Sequence, residues 1–151
     1  MKRATFISAL LLGALSFAEP LTLTVLHTND MHAHFEPTRV SGRMLGGYAR
    51  LATLIKQFRA SDPNVVLLNG GDTFQGTIFF NTYNGLADLA FMNAVRFDAM
   101  AVGNHEFDKG PAALAEFAKG AAFPVLAANL DVTDEPLLRD RIAVSATVGV
   151  G

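Results

Sequence analysis

The chain has 151 residues, half of them hydrophobic and 17% charged, which suits one packed domain and excludes an intrinsically disordered chain. Its formal net charge of −2 argues against a basic surface for nucleic-acid backbones. With no cysteine, disulfides, thiolate nucleophiles and Cys-bound zinc are excluded.

The N-terminus reads as a leader. Lys2 and Arg3 precede an apolar run from Ala4 to Leu15, and Ser16-Phe17-Ala18 places small residues where a signal peptidase reads them. The run is shorter than the ~20 residues needed to cross a bilayer. Cleavage after Ala18 is therefore expected, with residues 1–18 lost and a more acidic mature chain exported to a periplasm or extracellular space. No stable membrane anchor is expected.

Leu21 to Leu26 alternates apolar residues with Thr and predicts a strand. The stretch HTNDMHAHFEPTRVSG that follows is too polar for a core element. Tyr48, Leu51, Leu54, Ile55 and Phe58 recur at helical spacing and predict a helix over 48–59, with Arg50, Lys56 and Arg59 on its wet side. Val65 to Leu68 is a short apolar run of the kind buried on both faces of a parallel sheet. A second helix is expected over Leu86–Val95, a strand over Asp98–Val102, and a helix through Lys119 with Pro111 in its first turn. Pro124 to Ala127 reads as a fourth strand, and the tail after Arg141 as the start of another. This alternation predicts an α/β fold with at least a partly parallel sheet.

In such sheets the loops at the carboxyl ends of parallel strands gather on one edge, where ligands bind. Asp30/His32, Asp72, Asn104/His105 and Asn129 each follow a predicted strand. Taking Asp30-Met31-His32 as extended, its two side chains point the same way and can share a cation. Asp72 follows two glycines, and its two oxygens can serve two cations. Asn104 offers a neutral amide oxygen. Two divalent ions held by two aspartates keep an excess of positive charge, which a phosphate dianion complements, and paired metals activate water and clamp the oxygens of an in-line displacement. His105 lies three residues before Asp108, a spacing at which a carboxylate meets the imidazole in a helical turn and favours its protonated form. Such a cation can stabilise phosphoryl charge or protonate a leaving oxygen.

Each string has an ordinary explanation when taken singly. Asp-x-His can be a surface loop, Gly-Gly-Asp a turn, and Asp108 a helix cap. His27 reads as a strand-end residue that is buried or supports the site, and His34 as a surface histidine. The combination at successive strand ends carries the weight.

LTVLHTNDMHAHFEP, GGYARLATLI, VVLLNGGDTFQGT, AVGNHEFDKG and AANL, which together cover essentially all of Leu21 to Leu130, resemble successive blocks of the secreted 5′-nucleotidase family of metallophosphoesterases. That family includes UDP-sugar hydrolases and 2′,3′-cyclic-nucleotide phosphodiesterases. The resemblance implies the N-terminal part of a four-layer α/β-β/α sandwich over residues 19–151, with a separate C-terminal domain that binds the nucleoside. It implies Asp30 and His32 as ligands of a first metal, Asp72 as the bridging ligand and Asn104 as a ligand of the second. His105 and Asp108 match the catalytic dyad, with Asn104 and His105 facing substrate. Gly46, Gly47 and Arg50 match a block read here as supporting the site, and Asn129 one that lines the sheet edge.

The family completes its metal sites with a later histidine and an H-x-H pair, and this sequence has no histidine after His105. The expectation is therefore a fragment that binds metal weakly, has little activity, and exposes a sheet face made for a partner layer. The implied cofactors are two divalent ions (Mn, Zn, Fe, Co or Ni), and the implied substrate is a nucleotide or other small phosphate ester. A thiosulfate-ester hydrolase on the same scaffold and an exported, non-catalytic metal- or phosphate-binding module are the alternatives.

Overall fold

A computed structural model describes residues 20–150. The proposed leader, residues 1–18, lies outside the described residues. Five parallel strands form one sheet in the order Thr24–Thr28 (β1), Val65–Asn69 (β4), Ala99–Ala101 (β5), Val125–Leu126 (β6) and Ile142–Ala143 (β7), and Thr38–Val40 (β2) and Arg43–Leu45 (β3) form a separate antiparallel pair.

β4 (Val65–Asn69) lies inside the sheet between β1 and β5, and its Val66 and Leu67 are buried, as the apolar run predicts. β1 is Thr24–Thr28, displaced from the expected Leu21–Leu26. The reason lies in its partner: pairing starts at Thr24 opposite Val65, so Leu21 and Leu23 have no strand beside them and stay exposed. β5 (Ala99–Ala101), β6 (Val125–Leu126) and β7 (Ile142–Ala143) continue the sheet, so the tail after Arg141 does contribute a short strand. β5 begins one residue after Asp98, whose carboxylate is occupied in accepting the Leu67 N–H at 2.7 Å.

Helix α1 runs Tyr48–Ser61. Tyr48 and Ile55 are buried, but Leu54 and Phe58 are exposed, so the predicted stripe is only partly covered by the described residues. Arg59, expected on the wet side, instead donates to the carbonyls of Val95 and Arg96 and approaches Asp98 at 3.5 Å. It thereby satisfies the carbonyls where the chain leaves a helix. α3 (Leu86–Ala94) and α4 (Gly110–Gly120, with Pro111 in its first turn) match expectation.

Two further elements have no counterpart in the hydrophobic pattern. The end of the polar stretch forms the first strand and turn of a hairpin, β2 (Thr38–Val40) turned by Ser41 and Gly42 at φ 48° and 79°, and β3 (Arg43–Leu45) follows it. Arg50 of α1 donates to the carbonyls of Met44 at 2.8 Å and Gly46 at 3.3 Å, tying the hairpin to the helix. The other element is α2 (Ile78–Tyr83), opened by the Thr77 hydroxyl accepting the Phe79 N–H and closed by left-handed Asn84. The core is aromatic-rich. Phe74 packs against Phe80 and Phe117 at 5.2 and 5.4 Å between ring centroids, and Tyr48 sits between Phe35 and Phe91 at 4.1 and 4.3 Å.

Candidate metal centre

The loops after β1, β4 and β5 meet at the carboxyl edge of the sheet. The 30–33 loop is not extended, contrary to the expectation for Asp30-Met31-His32: Asp30, His32 and Ala33 have φ of 50°, 46° and 51°. The cause is pairing with the next loop. The N–H groups of Asp30, His32 and Ala33 donate to the carbonyls of Gly71, Asp72 and Thr73 at 3.1, 3.2 and 3.1 Å. Each left-handed residue costs of order 1 kcal/mol, so strain collects where donors converge. Asp30 and His32 still face each other, with Oδ1 3.7 Å from Nε2.

The His32 Nδ1 lies 2.8 Å from the Phe74 carbonyl. A carbonyl there selects the tautomer with hydrogen on Nδ1 and leaves Nε2 with a lone pair to donate. Ligand atoms of His32, Asp72 and His105 lie within 4.8 Å of one another, and all three residues are half-buried. Asp30 joins this group only through His32. The rings of His32 and His105 meet edge to face at 5.1 Å.

Asp72 is left-handed (φ 53°), and its Oδ1 accepts the backbone N–H of His105 at 2.9 Å. Gly71 and Gly103 make this approach possible. A Cβ on Gly71 would lie 2.6 Å from the Gly103 nitrogen, and one on Gly103 would overlap the Asp72 carboxylate. Asn104 starts the 3₁₀ turn His105–Phe107 and is exposed, beside a small cavity shared with Gly103, Phe107, Asn129 and Leu130.

His105 Nδ1 lies 2.8 Å from Asp108 Oδ2. That hydrogen bond raises the His105 pKa above the ordinary imidazole value and holds the Asp108 carboxyl below the usual carboxylate range. The site thus carries an imidazole that favours its cationic form, paired with a carboxylate outside the ligand cluster.

Sequence reasoning missed the residues that hold these. The Gln75 amide donates to Asp108 Oδ2 at 2.6 Å from a residue at φ 81°. Glu106, fully buried, accepts backbone N–H groups from both loops. The only signal for Glu106 is an acidic residue wedged between two site residues, which also describes a surface charge. His27, expected to be buried or supporting, is exposed on β1, on the same face of the strand as exposed Val25, and His34 is exposed as expected.

The residues present fit divalent ions. Imidazole and carboxylate donors converge, one imidazole is oriented by a carbonyl, and the sequence has no cysteine to offer a thiolate.

Residues 23–145 match the family described as calcineurin-like phosphoesterase. The chain is 50% identical over 116 residues to 5′-nucleotidase of Homo sapiens, a match covering 72% of this chain and 20% of that protein. The crystal structure of a 5′-nucleotidase precursor from Thermus thermophilus superposes with a TM-score of 0.83 at 50% identity, covering 85% of this chain and 26% of that one. The structure of Haemophilus influenzae NAD nucleotidase gives a TM-score of 0.72 at 32% identity, over 80% of this chain and 23% of that one. The chain thus spans about a quarter or less of the length of these relatives.

Proposed function

Because this chain belongs to the calcineurin-like phosphoesterase family, we propose that it forms the N-terminal part of the catalytic domain of a metal-dependent hydrolase. The proposed substrates are phosphate esters of nucleotides, met outside the cytoplasm after removal of residues 1–18. Asp30 and His32 would hold one divalent ion, Asp72 would bridge to a second, and Asn104 would ligate that second ion. The ions, when bound, supply an activated water and positive charge for the phosphoryl oxygens.

The chain's own groups do the rest. Asp108 fixes the His105 ring through Nδ1, which leaves the other nitrogen for the substrate side. In the hydrolysis of a monoester, a water oxygen bonds to phosphorus, its proton passing to solvent, as the ester oxygen leaves with its electron pair. His105, as imidazolium, gives its proton to that oxygen, and Asp108 stabilises the cation beforehand. Asn104, exposed next to His105, would meet a phosphoryl oxygen.

The observation that carries this reading is the convergence of His32, Asp72 and His105 within 4.8 Å, with the imidazole of His105 itself paired with Asp108. Since this sequence has no histidine after His105, the second ion has only Asp72 and Asn104 from this chain. Because the chain spans about a quarter or less of the length of these relatives, we assign turnover to a longer protein of their length containing it and expect these 151 residues alone to have little activity. The test is hydrolysis of AMP, a cyclic nucleotide and p-nitrophenyl phosphate by chelated samples of both lengths, with Mn²⁺ or Zn²⁺ restored. Metal-dependent turnover by the longer protein alone is expected. Saturable metal uptake without turnover in either would instead identify a binding module.

A further inference from the structure

The buried carboxylate of Glu106 takes no part in the chemistry proposed above, yet it touches both loops that build the site. Its Oε2 accepts the N–H of Asp72 at 2.9 Å and of Gly103 at 2.6 Å. Its Oε1 accepts the N–H of Thr73 at 2.8 Å and of Phe74 at 3.2 Å. Glu106 is 0% exposed, so all four interactions are shielded from water.

These bonds are not spread at random. Asp72, Thr73 and Phe74 follow β4, Gly103 follows β5, and no strand pairing reaches them, because the β4–β5 ladder ends at Asn69 and Met100. Beyond that point the two loops are joined by Glu106, by the Asp72 carboxylate, which accepts the His105 N–H, and at the exposed side by the Gln75 amide donating to Asp108. The clasp runs both ways: the backbone of Asp72 donates to Glu106, and the side chain of Asp72 accepts from the residue just before Glu106. Phe74 extends it, since its N–H is held by Glu106 while its carbonyl meets His32 Nδ1.

We propose that Glu106 is the positioning residue of the metal centre: by gathering the amides of Asp72, Thr73, Phe74 and Gly103, its carboxylate sets where Asp72 and His32 stand relative to Asn104 and His105, and so the affinity for divalent ions. The inference rests on the reading of Asp72 and His32 as metal ligands. Glu106 itself is sealed from the ions and acts only through the backbone. Supporting groups of this kind typically change metal affinity by about 10- to 100-fold.

Glu106→Gln tests it. Each Glu106 oxygen accepts two N–H groups, so replacing one oxygen by NH₂ sets a donor against two donors. Mn²⁺ affinity of the 151-residue chain is measured by calorimetry at a temperature where circular dichroism shows each variant folded. Leu89→Ala, a core truncation between α3 and α4, serves as the control for general destabilisation. The expected result is Mn²⁺ binding weakened at least about tenfold in Glu106→Gln and within about twofold of wild type in Leu89→Ala. Equal affinity of Glu106→Gln and wild type, or equal losses in the two variants, overturns the proposal while leaving the metal centre standing. Absence of Mn²⁺ uptake by the wild type overturns the metal reading and this inference with it. If Glu106→Gln does not fold, Glu106→Asp, one methylene too short to span both loops, is judged by the same criteria.

Discussion

The hydroxyl of Tyr48 donates to Oδ1 of Asp88 at 2.6 Å inside the core, and Oδ2 of the same carboxyl has no hydrogen-bond partner among the described residues. Burial pushes the Asp88 pKa up to about 6, from 3.8, and the Tyr48 phenol is also raised, first by burial and then by Asp88. Asp88 therefore binds its proton more tightly folded than unfolded. Its contribution to stability is complete below pH 3.8 and is lost as pH rises through about 6. A shift of this size corresponds to a few kcal/mol, in order of magnitude. Thermal melting of wild type and Asp88→Asn from about pH 4 to 8 should show the variant gaining on the wild type across that window. Parallel curves would rule out the buried ionisation. The comparison cancels the opposite trend of Asp62, Asp108 and Asp131, whose carboxyls are held low and are common to both proteins.

His105→Ala in the longer protein should lower turnover of AMP by about 10²- to 10⁴-fold, the range for a lost general acid, while metal content is kept. Loss of metal together with rate would make His105 a ligand instead. Asp108→Asn should bring the His105 pKa down toward the ordinary imidazole value, because its main support is the hydrogen bond to Asp108. An NMR titration of the imidazole in the metal-free chain reads this directly.

Gly103→Ala should disrupt the site although it adds one methyl group. That carbon would overlap the Asp72 carboxylate, and the neighbouring loop is already packed against Gly71. Overpacking of this kind costs about 1–3 kcal/mol, and the expected outcome is a lower melting temperature with weakened Mn²⁺ binding. A variant matching wild type in both would show that the two loops are free to separate.

Metal should stabilise the fold by mass action. At a concentration roughly 100-fold above Kd the gain is about 2.7 kcal/mol. Adding Mn²⁺ to the chelated chain is expected to raise its melting temperature, and Asp72→Asn to remove most of the rise. An unchanged rise in Asp72→Asn would mean that the ion sits elsewhere.

β1 is an edge strand of the sheet, and Val25 on it, Leu21 and Leu23 just before it, and Leu54 and Phe58 on α1 are exposed. Concentration-dependent association of the 151-residue chain is expected, read by light scattering. Val25→Lys, a charge on the edge strand, should reduce it. Monodisperse wild type at high concentration would contradict this.

The strand-and-helix order was legible because hydrophobic period is local: the apolar run at Val65 and the stripe from Tyr48 are visible within a few residues. So was the placing of Asp30, His32, Asp72, Asn104 and His105 in the loops that follow strands. The hairpin at 38–45 was not legible, because its strands bury no apolar face and depend on Arg50 of α1. Nor was the left-handed path of 30–33, which exists only because Gly71, Asp72 and Thr73 offer carbonyls to it.

From its residues alone the chain commits to an α/β alternation and to a set of oxygen and nitrogen donors at strand ends, because those depend on side-chain type and short-range spacing. Folding in three dimensions assigns the rest. It turns Glu106 from an apparent surface charge into the buried clasp of two loops, leaves His27 in solvent, and brings His32 and His105 ring to ring. These outcomes depend on which backbone N–H groups the strand ladders leave unpaired and on which loops then pack together, and both arise between segments more than 30 residues apart.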